Sequence, residues 1–276
     1  MRIIDHRLFK TKDEPFKFIE SPNYDEGLQH EYLAIHYTAG RNAEESVRWL
    51  TNRASKASAH LVIGRDGSII QLVPFDKKVW HAGLSTWEGR VGLNSYSIGI
   101  ELDNAGSLQR HGNRWRAWFG DEYEDNEVLE AVHKNEKEIR GWHIYPAEQI
   151  KVALEVGILL VKQYNLRDVV GHEDIAPARK IDPGPAFPMN SFRSHCLGRR
   201  DEEVTKFETT TNLNIRSGPG TQFQAIPGSP LPTGTTVEIL KSEGTWALVD
   251  VPGLLNDVMD MQGWVHSRYL KRILED

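Results

Sequence analysis

Between Gly171 and Phe187 the chain reads GHEDIAPARKIDPGPAF. Pro183 and Pro185 fix backbone angles and remove donors directly after a carboxylate, which makes the segment a shaped loop with aimed side chains rather than a helix with a polar face. The short apolar run Val169 and Val170 leads into it, which puts His172 at the end of a strand. Within eleven residues the loop gathers an imidazole (His172), an amine (Lys180) and a carboxylate (Asp182). Polar loops shaped in this way carry function more often than packing.

A chain of 276 residues with 39% hydrophobic and 26% charged side chains can bury one good core and a smaller second one. A formal charge of −6 and a pI near 6.0, with no basic run or stripe, argue against nucleic acid as a partner and give no attraction to an anionic membrane. The N-terminal MRIIDHRLFKTKDEPF has only Ile3 and Ile4 as an apolar run, and nothing downstream reaches a spanning length, so no membrane insertion is expected and the expected location is cytoplasmic. The lone cysteine, Cys196, lies in the charged stretch RSHCLGRRDEE, which reads as a linker, and it can form no internal disulfide.

Residues 32–38 (YLAIHYT) alternate in the manner of a strand, with His36 projecting from one sheet face. Residues 97–102 (SIGIEL) do the same and place Glu101 on a sheet face, so that Glu101 and His36 converge if the two strands are neighbours. Asn42 followed by Glu45 resembles a capping box, and Ala43, Val47 and Leu50 keep helical spacing, which predicts a helix over 43–53. HLVIGRDGSIIQLVP (60–74) predicts a hairpin turning at Arg65-Asp66-Gly67. From Asn104 to His143 the chain is charged and aromatic; one short helix around 125–139 in an otherwise long loop is expected, as an insertion bordering the site. Pro146 opens a helix reaching about Tyr164. Beyond a linker at roughly 193–206, short strands punctuated by Gly and Pro (NLNIRSGPG, GTTVEIL, TWALVDV, GWVHSRYL) predict a small all-β barrel. The expected fold class is therefore α/β, a mixed central β-sheet flanked by helices, plus that barrel; the expected domains are 1–195 and 206–276.

Two histidines and a carboxylate, one histidine on a distant strand and the other two groups ten residues apart on a loop, form a three-ligand zinc set that leaves a position for water. Zinc lowers the pKa of water to about 7 and polarises carbonyls, so a nearby carboxylate such as Glu101 can take a proton at neutral pH. Lys180 can place its ammonium beside the oxyanion of a tetrahedral amide intermediate. Each residue also has a plainer reading. Eleven histidines are present, and a histidine is more often a hydrogen-bonded structural residue than a ligand; Asp182 can start a turn, Glu101 can be a solvated strand residue, and Lys180 beside Arg179 can be a surface pair. His60 and His81 stay open as ligands on chemistry alone.

The segments IHYTAG, SAHLVIGRDGSIIQLVPFDKKVWHAG, SIGIEL and GHEDIAPARKIDPGPAF, in this order, resemble the zinc-dependent N-acetylmuramoyl-L-alanine amidases of the AmpD-like family, related to phage amidases and peptidoglycan recognition proteins; about 30–190 is covered. By position in those motifs, the resemblance places the Zn2+ ligands on His36, His172 and Asp182, the catalytic carboxylate on Glu101 and the catalytic lysine on Lys180. It implies a groove for a muropeptide and hydrolysis of the amide between the lactyl group of N-acetylmuramic acid and L-alanine, with peptidoglycan or its fragments as partner. His60 and His81 match family histidines that are not ligands, and Trp80, His81, Asn94 and His60 are the expected substrate-binding residues. Trp115, Trp118 and Trp142 are candidates either for stacking on substrate or for the core.

LNIRSGPGTQFQAI, LPTGTTVEIL and GWVHSRYL resemble a bacterial SH3 domain, which implies binding of cell-wall peptides. VPGLLNDVMDMQ, before GWV, is longer and more apolar than that fold usually carries. A catalytically silent muropeptide-binding protein is the alternative function; an HExxH protease helix is absent. An SH3-like tail leans towards intact wall, met through phage-type lysis or export without a cleavable signal, and recycling of fragments in the cytoplasm is the other role.

Overall fold

Strand formation follows the alternating segments. In the computed structural model, which describes residues 1–11, 14–198, 206–256 and 258–273, Tyr32–Tyr37 and Ser97–Leu102 pair in parallel at the middle of a six-stranded mixed sheet. Its order is Asp168–Gly171, Tyr32–Tyr37, Ser97–Leu102, Leu61–Ile63, Ile69–Gln71, Lys17–Phe18. The first four run parallel, and the hairpin 61–71 reverses direction through Gly67, whose φ of +79° suits the Asp-Gly turn. Leu33, Ile35, Ile98 and Ile100 are fully buried, because parallel strands are covered on both faces.

Helix α1 (Ala43–Leu50) opens on Asn42, whose side chain accepts from the Glu45 backbone N–H at 2.9 Å. It buries Val47 and Leu50 against Val62, Ile70, Leu72 and Val79. The helix stops at Leu50 rather than 53, because Asn52 caps a separate 3₁₀ turn, Arg53–Ser55, with its side chain accepting from Ala54 N–H. Helix α2 (Ala147–Tyr164) buries Ala153, Val156 and Leu160 and ends on Asn165 in the left-handed region. Among the described residues no helix is long and apolar enough to cross a membrane.

The stretch 104–143 corrects the expectation of a loop with one helix. It is a five-stranded antiparallel sheet, ordered Glu122–Tyr123, Arg114–Arg116, Ser107–His111, Ile139–His143, Val128–Val132, and its only helical turn is the 3₁₀ segment Asp125–Glu127. One face of the sheet is charged, so few apolar residues mark each strand. Leu108, Trp115, Leu129 and Trp142 are buried, each from a different strand.

The chain divides into two compact units, Met1–Phe187 and Pro188–Asp276. Helix α4 (Met189–Cys196) belongs to the second unit, where Met189, Phe192 and Cys196 are buried and the helix lies against the strands Trp246–Leu255 and Val258–His266. The expected linker thus starts too early: its first residues are helical, and Cys196 is a core residue whose thiol burial pushes up to about 12. The expected boundary at 195 cuts this helix. Residues 199–205 of the linker lie outside the described residues.

The second unit carries the expected barrel-like sheet of five antiparallel strands, packed around Ile215, Leu231, Val237, Val249, Met261 and Val265. NLNIRSGPG is not a strand; Leu213 and Arg216 join through isolated bridges. The apolar insert VPGLLNDVMDMQ lengthens the hairpin 246–266, and its Leu255 and Val258 pack on the core. With Phe192 2% exposed, Phe192→Ala should destabilise the second unit by about 3–5 kcal/mol in urea unfolding. Unchanged stability would make α4 a tether rather than part of that core.

Candidate active site

Parallel pairing aligns Glu101 with His36 directly across two strands, at the carboxyl ends where open α/β sheets place their ligands. The neighbouring strand Asp168–Gly171 delivers His172 as the first residue of a single helical turn, α3 (His172–Ile175). The loop then returns Asp182 to the same place, with the Glu173 N–H donating to the Asp182 carbonyl at 2.8 Å. His36 Nδ1, His172 Nδ1 and Asp182 Oδ2 stand 2.9–3.1 Å apart, and all three residues are buried.

The hydrogen-bond network fixes which of these atoms carry protons. Ser97 Oγ lies 2.6 Å from the Leu93 carbonyl, which can only accept, so the hydroxyl donates there and accepts from His81 Nε2 at 3.1 Å. His81 Nδ1 is therefore an acceptor, and at 2.8 Å it takes the proton on His36 Nε2. His36 Nδ1 is left with a lone pair. On the other side His172 Nε2 faces the Ala82 carbonyl at 3.2 Å, which places its proton there and a lone pair on Nδ1. Burial and the His172 ring hold His36 down to about 4. Nδ1 of His36, Nδ1 of His172 and Oδ2 of Asp182 thus face one another as acceptors, an arrangement that repels unless a cation sits between them. The donor set fits a divalent metal with two nitrogens and one oxygen.

Glu101 borders this cluster. Its Oε2 is buried and without a hydrogen-bond partner among the described residues; burial and the Asp182 charge push the carboxyl up to about 8, against the pull of Lys180. Glu101, Lys180, Arg179, Trp80 and His81 line a cleft of about 410 Å³ together with the three cluster residues. Lys180 is held by its backbone N–H donating to the Ala176 carbonyl at 2.9 Å.

Two expected groove residues are corrected. His60 is fully buried, with Nδ1 accepting from the Gly99 N–H at 3.0 Å and Nε2 on the Lys77 carbonyl at 2.9 Å; both ring nitrogens serve the backbone and neither reaches a ligand. Asn94 spends its Oδ1 on the N–H groups of His81 and Ala82, at 3.0 and 2.7 Å, so it shapes the 81–82 loop and does not line the cleft. Trp80 does line it, its indole N–H donating to Asp25 at 2.9 Å. Trp115 and Trp142 are core residues, whereas Trp118 is 79% exposed.

Sequence reasoning missed Ser97 and Gly99. A Cβ at Gly99 would meet the His81 ring at 2.6 Å, so glycine inside SIGIEL makes room for the imidazole, and glycine within a strand is itself a sign of close approach. Glu173 was also missed. Its buried carboxylate takes His133 at 2.7 Å, Lys134 at 2.8 Å and the Gly184 N–H at 3.0 Å, tying the 104–143 sheet to the loop that carries Asp182.

The whole constellation falls within residues 26–185, the stretch matched by the family model for N-acetylmuramoyl-L-alanine amidase. The chain belongs to that family. It is 38% identical over 140 residues to the 1,6-anhydro-N-acetylmuramyl-L-alanine amidase AmpD of Escherichia coli (strain K12), covering 50% of this chain and 57% of that protein. It is 33% identical over 173 residues to the N-acetylmuramoyl-L-alanine amidase AmiD of the same strain, covering 60% of this chain and 53% of the relative. The chain thus spans little more than half the length of these relatives. A crystal structure of an AmpD derivative superposes with a TM-score of 0.50 at 27% identity, over 71% of this chain and 99% of that one. Residues 211–271 match the model for a bacterial SH3 domain.

Because the Glu101 pKa is raised on folding, its contribution to stability is full below the ordinary carboxyl pKa and is lost as pH rises through about 8. Metal-free Glu101→Gln should therefore melt a few degrees above the metal-free native protein at pH 9 and show no such gain at pH 5. Equal melting temperatures at both values would mean the carboxylate is solvated.

Proposed function

We propose that the protein is a zinc-dependent N-acetylmuramoyl-L-alanine amidase, cutting the amide between the lactyl group of N-acetylmuramic acid and L-alanine in peptidoglycan or its fragments. The observation that carries this is the convergence of the donor atoms of His36, His172 and Asp182 beside a buried carboxylate oxygen of Glu101 that has no hydrogen-bond partner among the described residues. Those three residues would hold zinc, which when bound supplies Lewis-acid polarisation of the amide carbonyl and of the attacking water.

The rest of the chemistry belongs to side chains of the chain. Glu101 takes the proton of the attacking water: its desolvated position makes it a strong proton acceptor. The same carboxyl returns that proton to the amine of L-alanine as the C–N bond breaks. Lys180, on the rim of the same cleft, places positive charge where the carbonyl oxygen becomes an oxyanion. His81 and Ser97 hold His36 in the tautomer that presents its lone pair. The SH3-like unit would bind cell-wall peptide and raise the local concentration of the enzyme on a polymeric substrate.

The alternative, a protein that binds muropeptide without cutting it, gives no role to the unpartnered carboxylate. Sacculi and soluble anhydro-muropeptides, followed by mass spectrometry for peptides with a free L-alanine amine, separate the two. Glu101→Ala should lower turnover about 10²–10⁴-fold, and Lys180→Ala about 10²-fold with little change in metal content. Asp182→Ala should abolish stoichiometric zinc uptake. Binding of either substrate without release of peptide by the zinc-loaded native protein would establish the silent reading instead.

A further inference from the structure

A second cleft, of about 520 Å³, adjoins the first and shares Glu101, Thr38 and Trp49 with it. One wall is α1, which presents Trp49, 61% exposed. The other is the tight turn between the strands Arg114–Arg116 and Glu122–Tyr123, which presents Trp118, 79% exposed. The turn is fixed in place. The Trp118 indole N–H donates to the Ala39 carbonyl at 2.7 Å, just beyond the strand that carries His36. Arg41 donates to Asp121 at 2.8 Å and its guanidinium lies 5.6 Å from the centre of the Phe119 ring. Ordering two large indoles at a solvent-facing cleft costs burial that the core could have used; Trp118 packs edge to face with Phe119 at 5.7 Å, and the exposure of both indoles leaves ring surface accessible to a ligand.

Charge separates the two clefts. Lys180 and Arg179 line only the one holding the metal triad. The second is lined by aromatic and small residues, by Arg41, which is already paired, and by the carboxylate of Glu45. The two substituents of an amide carbonyl diverge, so a muropeptide held with its amide at the triad sends its acidic stem peptide one way and its sugar the other. Acidic peptide is drawn to Lys180 and Arg179, the cations that line only the first cleft beside Asp182 and Glu101, and finds no unpaired cation in the second, where Arg41 is held by Asp121 and Glu45 lies 3.8 Å from Arg48; a neutral pyranose, with an apolar C–H face, fits between indoles. We propose that the Trp49–Trp118 cleft is a saccharide subsite that holds the glycan unit next to the muramoyl residue, giving the protein a preference for glycan-linked peptides over single-sugar muropeptides. The proposed preference rests on the amidase function proposed above; the binding site itself does not.

The test uses the full chain. Triacetylchitotriose titrated into it should quench tryptophan fluorescence with saturation, and Trp118→Ala should weaken this about five- to tenfold, the scale of one aromatic stack, with Trp118→Phe restoring most of it. A free L-Ala-γ-D-Glu-diaminopimelate tripeptide should not displace the saccharide. In turnover, Trp118→Ala should lower kcat/KM for a disaccharide-peptide through KM while leaving a monosaccharide-peptide unaffected. No saturable titration by the native protein, displacement by the tripeptide, or equal loss on both substrates would overturn the subsite. Hydrolysis without titration sinks the subsite and leaves the amidase standing, whereas titration without hydrolysis of any substrate sinks the amidase and leaves the subsite.

Discussion

The site depends on one backbone constraint, the parallel, in-register pairing of Tyr32–Tyr37 with Ser97–Leu102. A shift of one residue would turn either His36 or Glu101 to the opposite face. Parallel strands buried on both faces tolerate no such slip, because each shift would carry fully apolar side chains such as Ile35 and Ile100 out of register with the layers that cover them. The sheet therefore sets the positions of His36 and Glu101 together. Its third contribution is indirect: the end of Asp168–Gly171 launches His172 and the loop that returns Asp182.

Around that frame, polar contacts decide what the donors can do. The path Leu93 carbonyl, Ser97, His81, His36 is a chain of obligatory donor and acceptor roles, anchored at one end by an atom that can only accept. It converts a fixed backbone carbonyl into a lone pair on His36 that faces His172 and Asp182. Glu173 has a comparable role for the loop, since its carboxylate joins His133 and Lys134 of the added sheet to Gly184. The 104–143 sheet is thus both a support for the loop that carries Asp182 and, through Trp118, a wall of the second cleft.

Much of the fold was legible. YLAIHYT, SIGIEL and the Asp-Gly hairpin alternate cleanly, so local pattern and tertiary packing agree there; α2 was legible as a helix, but it buries Ala153, Val156 and Leu160 and leaves Ile158 41% exposed, so its larger apolar side chains do not by themselves mark the packed face. The sheet at 104–143 was not legible because its large buried apolar residues, Leu108, Trp115, Leu129 and Trp142, come from four different strands with charges between them, and cross-strand pairing, not local pattern, brings residues such as Leu108 and Trp115 into one cluster. Helix α4 was masked in a similar way: Met189, Phe192 and Cys196 hold helical spacing, yet the charges after them suggest a linker.

The five chemical groups, His36, Glu101, His172, Lys180 and Asp182, were picked out by the sequence through the resemblance of their segments to the amidase motifs, while local pattern placed them on strands and on one shaped loop and left each with a plainer reading. The roles of the remaining histidines were decided only by the tertiary structure. His60 is buried and His81 half-buried, both next to one strand, but His60 meets backbone groups at both nitrogens while His81 meets His36 and Ser97. An imidazole is a donor on one nitrogen and an acceptor on the other, and which is which follows from partners far away in the chain, which no local pattern encodes.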